Sequence, residues 1–268
     1  MARFYPEVYD LQPWYHDFSE LGLQTRFAVR RRDQLSQLFA PLRRKLDPGY
    51  VEKGERFSLR SFLHPAPASH SNNQQRKEAI ILPYIHHCLL SMPDHPRLNC
   101  LDLFCADGYY SCMLANMRLN TTITGVDLDA TEVRRAKLAS RLLNVTQAKF
   151  IQADVWDFVL TAGAYDLVLC TGGLYHLTDP CGFLQRLRKT GSRYLVVQSV
   201  VTLETDAPNY FVSPAPGWRH GSRFTHAGLG RWLTEAGWRI LECATNELDA
   251  NARLCDRGSS YYRCEAAA

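Results

Sequence analysis

Apolar and polar positions are most regularly ordered between residues 98 and 129. An apolar run from Leu98 to Phe104 ends in the turn Cys105-Ala106-Asp107-Gly108. Met113, Leu114 and Met117 then recur at helical spacing, which predicts a helix from about Tyr109 to Met117. A second, β-branched run starts near Thr122 and stops at Asp127. This is a strand–turn–helix–strand unit of the kind that takes adenosine-bearing cofactors. Its turn admits close backbone approach, and its helix start offers free amide donors. An acidic residue closing the second strand suits the two hydroxyls of a ribose.

The same alternation of periods continues downstream. A helix is expected over 130–143, a short strand at Phe150-Ile151 and a strand over Tyr165–Cys170. A helix near Cys181–Lys189 leads to a strand over Tyr194–Val201. The 23 residues 202–224 carry three prolines with Tyr210, Phe211 and Trp218, and read as a lid or binding loop. A helix over 225–236 and strands near Trp238–Cys243 and Ser259–Cys264 close the chain, the last two as an edge pair. Upstream, Gln74–Met92 reads as a helix bent at Pro83, and His64–Asn73, with two prolines, as a linker. Leu35, Leu38, Phe39, Leu42 and Leu46 mark one face of an earlier helix that starts at Asp33, with Arg43, Arg44 and Lys45 on the other. The expectation is an α/β chain with an α-helical N-terminal region over 1–73 and a cofactor-binding domain over 74–268.

Composition narrows the class only modestly. With 268 residues, 46% hydrophobic and 22% charged, the chain reads as a globular protein with a large core. No run approaches the roughly 20 apolar residues of a membrane span, and the N-terminus lacks a secretion signal, so a cytoplasmic protein with no membrane partner is expected. The nine cysteines include no C-x-x-C pair and read as reduced core or turn residues. Residues 1–97 hold 14 Lys and Arg against 10 Asp and Glu, whereas residues 98–268 hold 17 of each. So small an excess is a weak argument for nucleic acid.

The motif over 102–127 resembles the class I S-adenosylmethionine-dependent methyltransferases. Asp102 leads the turn, Gly108 sits late in it and Asp127 ends the next strand. Phe104 and Ala106 stand where that family usually has glycines, which implies a wider turn or a shifted ligand. These substitutions weigh more against NAD, whose pyrophosphate needs closer approach, than against S-adenosylmethionine. The resemblance implies a doubly wound, Rossmann-like seven-stranded sheet with an antiparallel last strand. It also implies donor contacts from Asp102, Phe104, Cys105, Ala106, Gly108, Asp127, Leu128, Asp154, Val155 and Cys170. A fainter similarity, to the tRNA wobble-uridine branch, rests on Trp14-Tyr15-His16 and on Leu174-Tyr175-His176 with its following Pro180.

Methyl transfer is an in-line displacement, and a hydroxyl or ammonium nucleophile also needs a base. His176, just after the fourth strand, is the first candidate and His16 the second. Trp14, Tyr15, Tyr109, Tyr175 and Trp218 are candidates for an aromatic acceptor pocket. Cys170-Thr171-Gly172-Gly173 provides no carboxylate where metal-dependent relatives carry one, so no metal is expected. The first reading is metal-independent O- or N-methylation of a small aromatic or polar metabolite. tRNA modification, a NAD-dependent oxidoreductase and a non-catalytic partner subunit are the alternatives, and self-association stays open.

Overall fold

The computed structural model describes residues 5–25, 68–249, 251 and 253–267. The helix expected from Asp33, with its basic face, lies outside these residues. Five parallel strands form the centre: β1 (Leu98–Leu103), β2 (Thr121–Asp127), β3 (Ala148–Gln152), β4 (Leu167–Thr171) and β5 (Tyr194–Val201). The ribbon β6 (Phe211–Val212) and β7 (Arg223–Phe224) stands apart. β8 (Trp238–Glu247) and β9 (Gly258–Ala266) complete the seven-stranded sheet in the order β3-β2-β1-β4-β5-β9-β8. β9 runs antiparallel between β5 and β8, as the resemblance implied.

The strands read as nearly continuous apolar runs because both faces are covered. Alternate residues divide between two cores. Leu98 and Cys100 of β1 and Tyr194 and Val196 of β5 face one of them. Leu101, Leu103, Leu195 and Val197 face the other. The first core is packed by α1 (Pro6–Asp10), α2 (Ala68–Leu90), α3 (Tyr109–Met117) and α4 (Ala130–Leu142). The second is packed by α5 (Val155–Thr161), α6 (Pro180–Lys189) and α7 (His226–Glu235). A short helix, α8 (Leu254–Arg257), precedes β9. Side-chain caps fix several helix starts: Asp129 accepts from Thr131 and Glu132 N–H, Asp179 from Gly182 N–H and Thr225 from Gly228 N–H.

Two expectations need correction. α2 begins at Ala68, so residues 68–73 of the supposed linker are helical, and the boundary drawn at 73/74 falls inside a helix. Tertiary contacts override the poor helix propensity of that stretch. The Asn73 side chain exchanges two hydrogen bonds with the Asp249 backbone, at 3.0 and 2.7 Å. Residues 202–224 are also not structureless, because Phe211 and Val212 pair with Phe224 and Arg223 in the ribbon.

Candidate functional site

The carboxyl ends of β1, β2, β3 and β4 converge on the turn after β1. The turn keeps the backbone of a glycine-rich one: Phe104, Ala106 and Gly108 have φ of 59°, 46° and 79°. The substituted residues thus adopt the left-handed conformation themselves. Left-handed backbone costs a non-glycine residue roughly 1–2 kcal/mol. Hydrogen bonds hold it in place: Cys105 N–H donates to Val126 O (3.1 Å), Gly108 N–H to Cys105 O (2.8 Å) and Ala106 N–H to Asp127 Oδ2 (2.9 Å). At Gly108 there is also no room for a side chain, since a methyl would stand 2.8 Å from Ala136 Cβ.

Three carboxylates surround this turn in different states. Asp102, 1% exposed, accepts from Ser111 Oγ at 2.7 Å through Oδ2, while its buried Oδ1 has no hydrogen-bond partner. Burial is the main cause that pushes its carboxyl up to about 7. Asp127 is also shifted upward by burial, opposed by the backbone N–H groups of Asp129 and Ala106 that it accepts. Asp154 caps α5 by accepting from Trp156 N–H at 2.7 Å.

A fourth carboxylate, within the turn itself, carries a contact that sequence reasoning missed. Asp107, fully buried, accepts from His16 N–H at 2.7 Å through Oδ2 and meets His16 Nδ1 at 2.6 Å through Oδ1. The His16 ring stacks on Tyr109 at 4.9 Å. The N-terminal segment is thereby pinned onto the turn. The only available signal was an unexplained acidic residue in the turn; its partner lies 91 residues away.

Several expected ligand contacts fall in the core instead. The Cys105, Val155 and Cys170 side chains are buried among apolar neighbours, which leaves only their main chains to face a ligand. Burial pushes the Cys170 thiol up to about 12. Trp14 and Tyr109 were expected to line an acceptor pocket. Both are buried in the first core, Trp14 Nε1 donating to Val8 O at 2.8 Å. Tyr15, next to Trp14, is half-exposed. Leu128 is exposed at the rim of the turn.

A pocket of about 180 Å³ lies beside the β4 end, lined by Tyr175, His176, Trp218, His220, Arg223 and Asp256 among others. It unites three of the sequence candidates. The segment 202–224 forms its other wall, with Ser222 N–H donating to Tyr175 O at 2.9 Å. Arg223 is nearly buried, with Nε 2.7 Å from Asp256 Oδ1 and its guanidinium 5.5 Å over the Tyr175 ring. Burial raises the Tyr175 phenol far above its ordinary range, and Tyr15 nearby adds to this. His176 is exposed at the pocket edge, and partial desolvation first, then Arg223 and His220, shift it downward, which favours the neutral imidazole at pH 7. Among the described residues no group of three His, Cys, Asp or Glu side chains is placed to hold a metal ion, and no helix is long and apolar enough to cross a membrane. All nine cysteines are free.

An open sheet with this strand order, a left-handed turn after β1 and an acidic residue ending β2 define the class of S-adenosylmethionine-dependent methyltransferases. The family model described as "Methyltransferase domain" matches residues 94–227, half of the chain, and the chain belongs to that family. No match appears among curated proteins. Among solved structures, the fold is similar to magnesium protoporphyrin IX methyltransferase of Synechocystis PCC 6803 with bound SAH. The TM-score is 0.56 at 17% identity, covering 88% of this chain and 98% of that one. The N-terminal domain of EvdMO1 with SAH and D-fucose aligns with a TM-score of 0.52 at 21% identity, covering 90% and 98%. The [4+2]-cyclase SpnF aligns at 0.56 and 16%, covering 87% and 95%. These likenesses concern the fold, and the three names share no acceptor.

Proposed function

We propose that the chain methylates an oxygen or nitrogen of a small aromatic or polar metabolite, without a metal ion, in the pocket beside His176. The observation that carries this reading is the pocket itself, where an imidazole held neutral at pH 7 stands among the aromatic faces of Tyr175 and Trp218. Planar acceptors suit such walls. The balanced charge of residues 98–268 favours a small molecule over tRNA, whose backbone calls for a basic track.

The donor-binding residues fit S-adenosylmethionine. The unpartnered Oδ1 of Asp102 complements an ammonium. Asp127 keeps lone pairs for ribose hydroxyls beside the two backbone N–H groups it accepts. Asp154 keeps its second oxygen for an exocyclic amine. When bound, the donor supplies a methyl group activated by its sulfonium. The chain must orient the acceptor and take its proton. His176 would take that proton onto an imidazole nitrogen. His16 is proposed only as a positioning residue, because it is buried and is not among the residues that line the pocket.

The test is to offer phenols, aromatic amines and polar metabolites with the donor. Acceptor-dependent formation of S-adenosylhomocysteine, matched by a methyl mass gain on the acceptor and insensitive to EDTA, is expected. Loss of turnover in EDTA that magnesium restores would refute the metal-independent chemistry.

A further inference from the structure

β1 and β4 are neighbours in the sheet although β2 and β3 lie between them in the chain, so strand order reverses at this pair. Open α/β sheets bind ligands at such a reversal, outside the carboxyl ends of the two strands. Phe104 is the first residue beyond β1, and Gly173 is the second beyond β4. Their contact spans the crevice. A methyl added at Gly173 would stand 1.8 Å from Phe104 Cγ and 2.2 Å from Cδ2, so the phenyl ring lies directly on the glycine. On its far side the ring meets Phe183 at 6.0 Å, and Phe183 in turn meets Trp156, just after β3, at 5.3 Å.

The backbone at Phe104 makes this placement unusual. Its φ of 59° suits glycine and is unfavourable for a bulky side chain. The ring is also only partly buried, so packing does not fully account for it. Strain of this kind is worth reading as a device when it stands at a ligand crevice.

We infer that Phe104 is a steric gate on the donor site: its ring lies across the β1/β4 crevice and must turn out of it before the donor can bind. The inference rests on the donor reading above. Removing the ring should leave the turn in its conformation and open the crevice. The competent state is then no longer a minor one, and the apparent affinity rises by the inverse of its former population.

Binding of S-adenosylhomocysteine to the full chain, measured by calorimetry and stopped flow, tests this. Phe104→Ala and Phe104→Gly should bind about tenfold tighter than the wild type, as expected if the open state is populated at roughly a tenth. Unchanged or weaker binding by folded variants overturns the gate and leaves the donor reading standing, provided the wild type binds. If neither wild type nor variants bind, both readings fall. The wild type alone gives a second readout that does not depend on the variants folding. An observed binding rate that levels off with ligand concentration supports the gate, and one that rises linearly throughout overturns it.

Discussion

If Asp102 meets the donor as proposed, donor binding is coupled to protons. Its folded carboxyl sits near 7, above the ordinary 3.8, so the native state holds a proton that the unfolded chain gives up. Its contribution to stability is therefore fully present below about pH 3.8 and is lost as pH rises through about 7. An ammonium against Oδ1 favours the ionised form. Binding of S-adenosylhomocysteine at pH 7 should thus release a fraction of a proton, read by calorimetry in buffers of different ionisation enthalpy. Asp102→Asn should abolish that release, and an unchanged release would assign it to another group. Asp127 offers a plainer test. Asp127→Ala removes the acceptor for Ala106 and Asp129 N–H as well as any bond to the ribose, and charged hydrogen bonds contribute about 1.5–3 kcal/mol. Donor affinity should fall about 10- to 100-fold, and an unchanged dissociation constant would place the ribose elsewhere. At His176 the shift runs the other way. Its folded pKa lies below 6.5, so this site's stability contribution is present above 6.5 and is lost as pH falls through the lowered value. The acid limb of the kcat profile should accordingly lie below pH 6.5. His176→Ala should cost about 10²- to 10⁴-fold in kcat with donor affinity intact.

At the scale of elements, two contacts tie segments far apart in sequence to the sheet's carboxyl edge. His16 and Asp107 hold the N-terminal segment on the turn after β1, with both side chains buried. His16→Ala strips the fully buried Asp107 of its ring partner, and breaking a buried pair typically costs about 3–5 kcal/mol. A loss of about 3 kcal/mol in denaturant unfolding is expected, together with weaker donor binding through the loosened turn. A melting curve equal to the wild type's would show that the contact contributes nothing to stability. The second contact closes the pocket. Gly221 has φ of 79°, and a methyl there would stand 2.8 Å from Tyr175 O. The segment 202–224 therefore lies against the 174–176 turn only because this residue is glycine.

Across the whole molecule, what was legible in the sequence was what local pattern controls. The strand–turn–helix–strand unit and the doubly wound sheet with its antiparallel last strand follow from period, residue type and the family resemblance. What was not legible depends on partners distant in the chain: Asp107 with His16, Asn73 with Asp249, Arg223 with Asp256. The donor candidates Cys105, Val155 and Cys170 turn their side chains into the core, so only their main chains can meet a ligand. Proximity to the turn in sequence does not decide which face a side chain takes, and in these three it is the core face. In the proposed reading the molecule separates into a donor half, built on the turns after β1 and β2, and an acceptor half, built on the 174–176 turn and the 202–224 segment. That division predicts separable kinetics. Trp218, half-exposed on the pocket wall, should contribute an aromatic contact to the acceptor and nothing to the donor. Contacts of this kind are worth about 0.5–1.5 kcal/mol beyond area burial, so Trp218→Ala should raise the acceptor KM roughly 2- to 10-fold and leave donor affinity unchanged. Asp127→Ala should do the reverse. If Trp218→Ala instead weakened donor binding by as much, the two halves would form one continuous site, and the assignment of the 180 Å³ pocket to the acceptor would fail.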